Sequence, residues 1–309
     1  MIKYSRSIDE LIGNTPMLEL VKIQKNLGVS AKLFAKLEYF NPAGSIKDRV
    51  AKAMIDEAEK TGQLKKGGTV IEATSGNTGI GLALVAAARG YKSVIVMPDT
   101  MSVERQKMIK AYGAEVLLTD GSKGMKGAVE KAEELCKNTP NSIIAGQFDN
   151  PVCVQAHYDT TGSEIWEQMD GQVDVFVAGV GTGGTLTGVA KYLKEKNPNV
   201  KVVAVEPASS PLLSKGVAGG HKIQGIGANF VPSILDTKIY DEVIAVPDEA
   251  AFGVAKDLGK TEGVFVGISA GAAVWAAETI AKREENAGKN IVVILPDSGG
   301  RYLSTALVE

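Results

Sequence analysis

The sequence predicts an α/β protein built on parallel sheets, and three observations carry that expectation. From Gly68 onward, short β-rich runs alternate with helix-length segments. Most of those runs are continuously apolar rather than alternating, as strands covered on both faces are. Three strand ends pass into glycine- and hydroxyl-rich turns that open helices, and open parallel sheets bind ligands outside such ends.

Taken in order, Leu33, Phe34, Ala35 and Leu37 read as a strand that leads into "NPAGSIKDR", residues 41–49. Asn41-Pro42 and Gly44 are turn formers, Ser45 is a good N-cap, and Asp48 completes a capping-box pattern. Ile46, Val50, Ala53 and Met54 follow at helical spacing. Lys47 therefore falls in the first turn, where a cation is disfavoured by about 0.3–1 kcal/mol. Two explanations compete: the lysine snorkels into water beside Asp48, or it is not a cation.

The strands that follow are "TVIEAT", "SVIVMP", "AEVLLT", "SIIAGQF", "VDVFVAGV", "VKVVAVEP", "EVIAVP", "GVFVG" and "NIVVILP", with helical segments such as "MSVERQKMIKAYG" and "DEAAFGVAKDLGKTEG" between them. Turn residues at Phe148-Asp149-Asn150-Pro151 suggest two domains, 1–148 and 149–309, with residues 13–38 able to pack against the second. The glycine-rich stretch from Pro207 to Pro232 has little period, and a loop of that length inside a compact domain is usually functional or mobile.

Bulk properties narrow the function. The 309 residues are 44% hydrophobic and 23% charged with a formal net charge of −2, so no basic field favours nucleic acid. No apolar run reaches membrane-spanning length and the first residues lack a signal-peptide core, so the expected compartment is the cytoplasm with no membrane partner. Cys136 and Cys153 form no C-x-x-C pair and read as structural. His157 and His221 are far apart in sequence, which gives no support to a metal site.

The three strand ends carry the chemistry. "EATSGNTGIG", residues 72–81, offers Thr74, Ser75, Asn77 and Thr78 with glycine-freed amides at a helix start, an anion cradle suited to a carboxylate. "AGVGTGGTLTG", residues 178–188, satisfies G-x-G-x-x-G through Gly179, Gly181 and Gly184, with Glu206 about 20 residues on, as a dinucleotide fingerprint would. Thr182 and Thr185 instead suit a terminal phosphate monoester, and the loop alone leaves both readings open. In "GVFVGISAGAAVWAA", Ser269 begins a helix, as a capping serine would.

Together and in this order, "NPAGSIKDR", "TSGNTGIG", "GVGTGGTLTG", "HKIQGIGA" and "GISAGAA" resemble the pyridoxal-phosphate enzymes of the tryptophan-synthase β fold, and most of all the cysteine synthase (O-acetylserine sulfhydrylase) family. "IGNTP", "GSKGMKGA" and "ILPDSGGRYLST" extend the likeness over almost the whole chain. The resemblance implies two parallel-sheet α/β domains with pyridoxal 5'-phosphate in the cleft between them. It implies that Lys47 forms the Schiff base, that Gly181, Thr182, Gly183, Gly184 and Thr185 hold the phosphate, that Asn77 bonds the ring 3-hydroxyl, and that Ser269 faces the pyridine nitrogen. Thr74, Ser75, Gly76, Thr78 and Gln147 would bind the substrate carboxylate, with Gly225 on the loop over the site. No metal is implied.

The implied reaction is β-replacement: acetate leaves O-acetyl-L-serine and sulfide takes its place. Lys47 then needs a neutral amine to act as a base, which an environment disfavouring its cation would favour. The implied partners are a second copy of the chain in a homodimer and a serine acetyltransferase. Three departures from the family pattern stand out: Ala73 for a proline, Asn229 for a glycine, and "PDSGGR" for "PSSGER". Asn229 and "AGSIKD" keep a cystathionine β-synthase-like choice of thiol open. The alternative of another class is a nicotinamide-dependent dehydrogenase built on the second loop.

Overall fold

The structure is a computed structural model that describes residues 4–74 and 76–308. Its strands are β1 (Met17–Glu19), β2 (Lys32–Leu37), β3 (Thr69–Ala73), β4 (Lys92–Pro98), β5 (Glu115–Thr119), β6 (Ser142–Ile144), β7 (Val175–Gly179), β8 (Lys201–Pro207), β9 (Glu242–Val246) and β10 (Asn290–Leu295). The chain divides into two compact units. Of the described residues, one holds 4–12 and those of 41–152; the other holds 13–40 and 153–308.

The first unit is a four-stranded parallel sheet in the order β5-β4-β3-β6. Chain direction across the sheet reverses between β3 and β6, so the crevice outside their carboxyl ends is a topological switch point. Ile71 and Val96 pack with Ala128 and Ala132 of the Gly124–Asn138 helix.

The second unit is a six-stranded sheet, β1-β2-β10-β7-β8-β9, parallel except for β1. Val202, Val203, Ala204 and Val205 of β8 are all fully buried. Successive strand residues point to opposite faces, so this unbroken apolar run means both faces are covered. The switch point here lies between β7 and β10.

The helix Ile268–Ala281 is apolar nearly all round and buried, as a core helix is. It approaches the Asp248–Thr261 helix so closely that a Cβ on Gly271 would stand 2.1 Å from the Ala251 carbonyl oxygen.

One expectation needs correction, and one element was not foreseen. "GVFVG" is not a strand: Val266 makes a single antiparallel bridge with Ser298, and its apolar character comes from Val264 and Val266 being buried beside an exposed Phe265. β1 pairs antiparallel with β2, and its short half-buried run carries no periodic signal. Among the described residues no helix is long and apolar enough to cross a membrane.

Candidate active site

Each unit carries one set of candidate residues. In the first, Lys47 is the opening residue of the Lys47–Lys60 helix. The expected capping box is displaced. Ser45 Oγ accepts from the Lys47 N–H at 3.2 Å, while the buried Asp48 carboxylate reaches back past the cap to the Ala43 N–H at 2.6 Å. Asp48 thus braces the turn before the helix, two residues further upstream than a capping box on Ser45 would reach.

The Asn77–Arg89 helix starts beside it. A Cβ on Gly81 would lie 3.2 Å from the Lys47 carbonyl oxygen and 3.1 Å from Ala51 Cβ, so glycine there brings the first turns of the two helices together. Upstream, Thr74 Oγ1 accepts from the Gly76 N–H at 3.2 Å. The buried Thr78 hydroxyl donates to Gln147 Oε1 at 2.5 Å. Lys47, Thr74, Gly76, Asn77, Thr78 and Gln147 therefore belong to one unit, at or beside the β3/β6 switch point. Ser75 lies outside the described residues.

Glu72 was not singled out from sequence, although a carboxylate in a strand buried on both faces was a signal. Its Oε2 accepts from the Gly146 N–H at 2.8 Å and its Oε1 from the Gln147 N–H at 3.4 Å. Burial pushes its pKa up from 4.5 to about 7, with Asp149 adding to the rise and the two N–H donors opposing it.

In the second unit, β7 ends at Gly179 and the Gly184–Lys196 helix begins five residues later. The turn between is made for close backbone approach. A Cβ on Gly181 would stand 2.4 Å from the Gly225 carbonyl oxygen; Gly183 has φ +85°, and a Cβ there would meet Leu235 Cβ at 2.7 Å. Gly225 in turn lies against the buried Ser269, whose Oγ would be 3.4 Å from a Cβ on that glycine. Gly181, Gly225 and Ser269 are thus stacked, with Ser269 in the first turn of its helix.

Thr182 is buried, and Thr185 Oγ1 lies 3.1 Å from His157 Nε2. His157 Nδ1 sits 2.9 Å from Thr161 Oγ1. Both contacts come from a π-helical stretch, His157–Gly162, a form that often marks functional sites. His157 had no assigned role in the sequence reading; its four-residue spacing to Thr161 was the only hint.

This geometry tests the two readings of the glycine loop. Glycines that admit close backbone packing at the start of a 13-residue helix, together with two threonine hydroxyls, make a turn whose composition and helix position fit a phosphate monoester. The dinucleotide reading needs Glu206 for a ribose. That carboxylate is buried and already accepts from the Leu213 N–H at 2.7 Å and from Ser214 Oγ at 2.5 Å.

Among the described residues no group of three or more His, Cys, Asp or Glu is arranged to hold a metal ion. Asn229, which replaces the expected glycine, takes φ +64° and accepts through Oδ1 from the buried Ser210 hydroxyl at 2.7 Å.

A glycine- and threonine-rich helix start on one α/β unit, with a lysine opening a helix on the other, has a counterpart among known families. The sequence profile of the family described as "Pyridoxal-phosphate dependent enzyme" matches residues 8–297. The chain belongs to that family, and pyridoxal phosphate is its cofactor.

More particularly, the chain is similar to the cysteine synthase of Staphylococcus aureus strain Mu50, 51% identical over 97% of this chain and 96% of the relative. The crystal structure of cysteine synthase from Entamoeba histolytica superposes with a TM-score of 0.96 at 46% identity, covering 99% of this chain and 91% of that one. A hydrogen sulfide-producing enzyme from Fusobacterium nucleatum gives 0.93 at 48% identity, covering 98% and 99%.

Proposed function

We propose that this chain is a cysteine synthase, replacing the acetoxy group of O-acetyl-L-serine with sulfide to give L-cysteine and acetate. The observation that carries the reading is the kinship with named cysteine synthases over nearly the whole chain. Pyridoxal phosphate, when bound, supplies the electron sink that makes the α-proton of an amino acid removable.

The chain's own residues do the rest. Gly181, Thr182, Gly183, Gly184 and Thr185 would hold the phosphate, Asn77 the ring hydroxyl and Ser269 the pyridine nitrogen. Lys47 Nζ would hold the cofactor and, as a free amine, takes the proton from the substrate Cα and later returns it. Thr74, Ser75, Gly76, Thr78 and Gln147 bind the substrate carboxylate, and Gly225 lies over the site. Acetate departs from Cβ with the bonding pair, and sulfide forms the new bond at the same carbon.

In this reading residues 1–148 carry the lysine and the carboxylate loop, and residues 149–309 carry the phosphate loop and Ser269. The chain works as a cytoplasmic homodimer with serine acetyltransferase as a partner; the family resemblance supports each of these.

Asn229 supports a second reading of the acceptor. A polar side chain tied to Ser210 replaces a glycine and changes what a thiol meets near the glycine loop. Purified holoenzyme given O-acetyl-L-serine should release acetate once per site without sulfide and turn over to cysteine with it. Turnover with homocysteine or cysteine but not sulfide would replace the first reading by the second, and absence of any β-replacement would overturn both.

A further inference from the structure

Glu72 is the one charged residue of β3, and it is buried. The β3–β6 ladder ends at the pair Ile71 with Ile144. One residue further along β3, the Glu72 carboxylate takes over, one oxygen on the Gly146 N–H and the other on the Gln147 N–H.

The turn it grips also carries bonds of its own. Gly146 has φ +72°, and its carbonyl accepts from the N–H groups of Asp149 and Asn150, while Asn150 Nδ2 donates to the Ala145 carbonyl. The side chain of Gln147 faces Thr78, at the start of the next helix. One buried carboxylate therefore fixes the backbone from which the Gln147 amide is presented.

We propose that Glu72 is the positioning residue of the substrate-carboxylate site: its ionised side chain clamps the Gly146–Gln147 backbone and so sets the reach of Gln147 and Thr78. The inference rests on the reading of Gln147 and Thr78 as carboxylate-binding residues. The carboxylate never touches substrate. It acts through two backbone N–H groups, so its loss weakens binding of the amino acid while leaving the proton transfers at Lys47 alone.

The clamp also titrates. A carboxylate accepts at both oxygens, whereas the protonated acid carries a hydrogen on one of them and opposes a backbone N–H there. With a pKa pushed by burial to about 7, the grip tightens as pH rises through neutrality. The charged group that acts on Glu72 is Asp149 in the same turn. Ile95 lies opposite it on β4, the Gly124–Asn138 helix meets β3 with Ala128 and Ala132, and Arg89 at the far end of the Asn77–Arg89 helix is bonded to Asp9.

The test compares wild-type holoenzyme with Glu72→Gln, Glu72→Asp and Gln147→Ala. Glu72→Gln should raise KM for O-acetyl-L-serine about tenfold, as loss of one hydrogen bond to a charged group does, with kcat and the cofactor absorbance little changed. Amide hydrogen exchange at Gly146 and Gln147 should accelerate in the same variant. The rise of kcat/KM between a unit below and a unit above pH 7 should also flatten relative to wild type.

Glu72→Asp, which keeps the charge but shortens the reach, should fall between the two and answers the question if Glu72→Gln does not fold. A raised KM in Gln147→Ala with an unchanged KM and unchanged exchange in the folded Glu72 variants overturns the proposal. An unchanged KM in Gln147→Ala overturns the reading of Gln147 itself, and the positioning role with it.

Discussion

At the scale of single residues, the helix position of Lys47 makes its removal informative. Alanine suits a helix start and relieves the cation from the positive end of the dipole. Lys47→Ala should therefore keep the fold and its stability while lowering β-replacement by at least about 10²–10⁴-fold, checked by circular dichroism beside a cysteine assay; wild-type-like turnover in the folded variant would refute its role. Removing the hydroxyls of Thr182 and Thr185 together costs the phosphate roughly 1.5–3 kcal/mol for each charge-assisted hydrogen bond lost, so cofactor titration of apo-enzyme should show affinity falling by more than tenfold. Ser269→Asp should keep some cofactor but slow acetate release and raise deuterium uptake into recovered substrate, since a carboxylate there favours protonation of the ring nitrogen. Equal acetate release with no added exchange would leave Ser269 as a helix cap alone. What was legible at this scale was placement: the glycines and threonines of residues 181–185 stand at the start of a helix, as their pattern predicts. What was not legible was how the carboxylates are used. Asp48 and Glu206 look available in a string of letters, yet one braces the Ala43 turn and the other caps Leu213 and Ser214, because such partners are fixed by turns that sequence spacing does not specify.

At the scale of elements, Lys36 shows how a strand can bury a cation. Fully inaccessible on β2, its ammonium pairs with Glu164 at 2.7 Å and donates to the Thr15 carbonyl at 2.7 Å and Gln168 Oε1 at 2.8 Å. It thereby ties the segment before β1 and the Ser163–Gln168 helix to the sheet. Lys36→Met strands the Glu164 charge and should cost about 3–5 kcal/mol, read as a lowered urea midpoint. Adding Glu164→Gln should recover part of that loss, because the two side chains are coupled; additive losses would show that the pair acts otherwise. From sequence the strand was clear and its lysine was not, since a charge inside an apolar run gives no hint of acceptors more than a hundred residues away. "GVFVG" failed for a related reason: apolar residues at a helix approach and apolar residues in a ladder look alike until the hydrogen-bond partners are known.

For the whole molecule, two carboxylates pull the pH dependence of stability in opposite directions. Glu242 is held down to about 2 by the forked hydrogen bonds from Arg283, helped by Lys201. Its folded pKa lies below the ordinary 4.5, so its contribution is present above that value and is lost as pH falls from 4.5 towards about 2. Glu72 works the other way: its folded pKa lies above 4.5, the folded state holds the extra proton, and its contribution fades as pH rises from 4.5 through about 7. Glu242→Gln should flatten the acid limb of a stability profile, and Glu72→Gln should flatten the fall towards neutrality, each followed by thermal denaturation across pH. The α/β class was legible because unbroken apolar strands and glycine turns recur along the whole chain, but the pairing of β2 with β10 was not, because a strand's partner is not written in its own residues. That connectivity bears on how the protein comes into being. β2 takes its place in the sheet beside β10, so β2 waits for a strand made long after it, while β3 to β6 are complete by residue 144. During translation the second unit therefore carries an unpaired edge for most of the chain's growth, a long-range closure that slows folding and leaves the nascent protein dependent on the last strand to be threaded between β2 and β7.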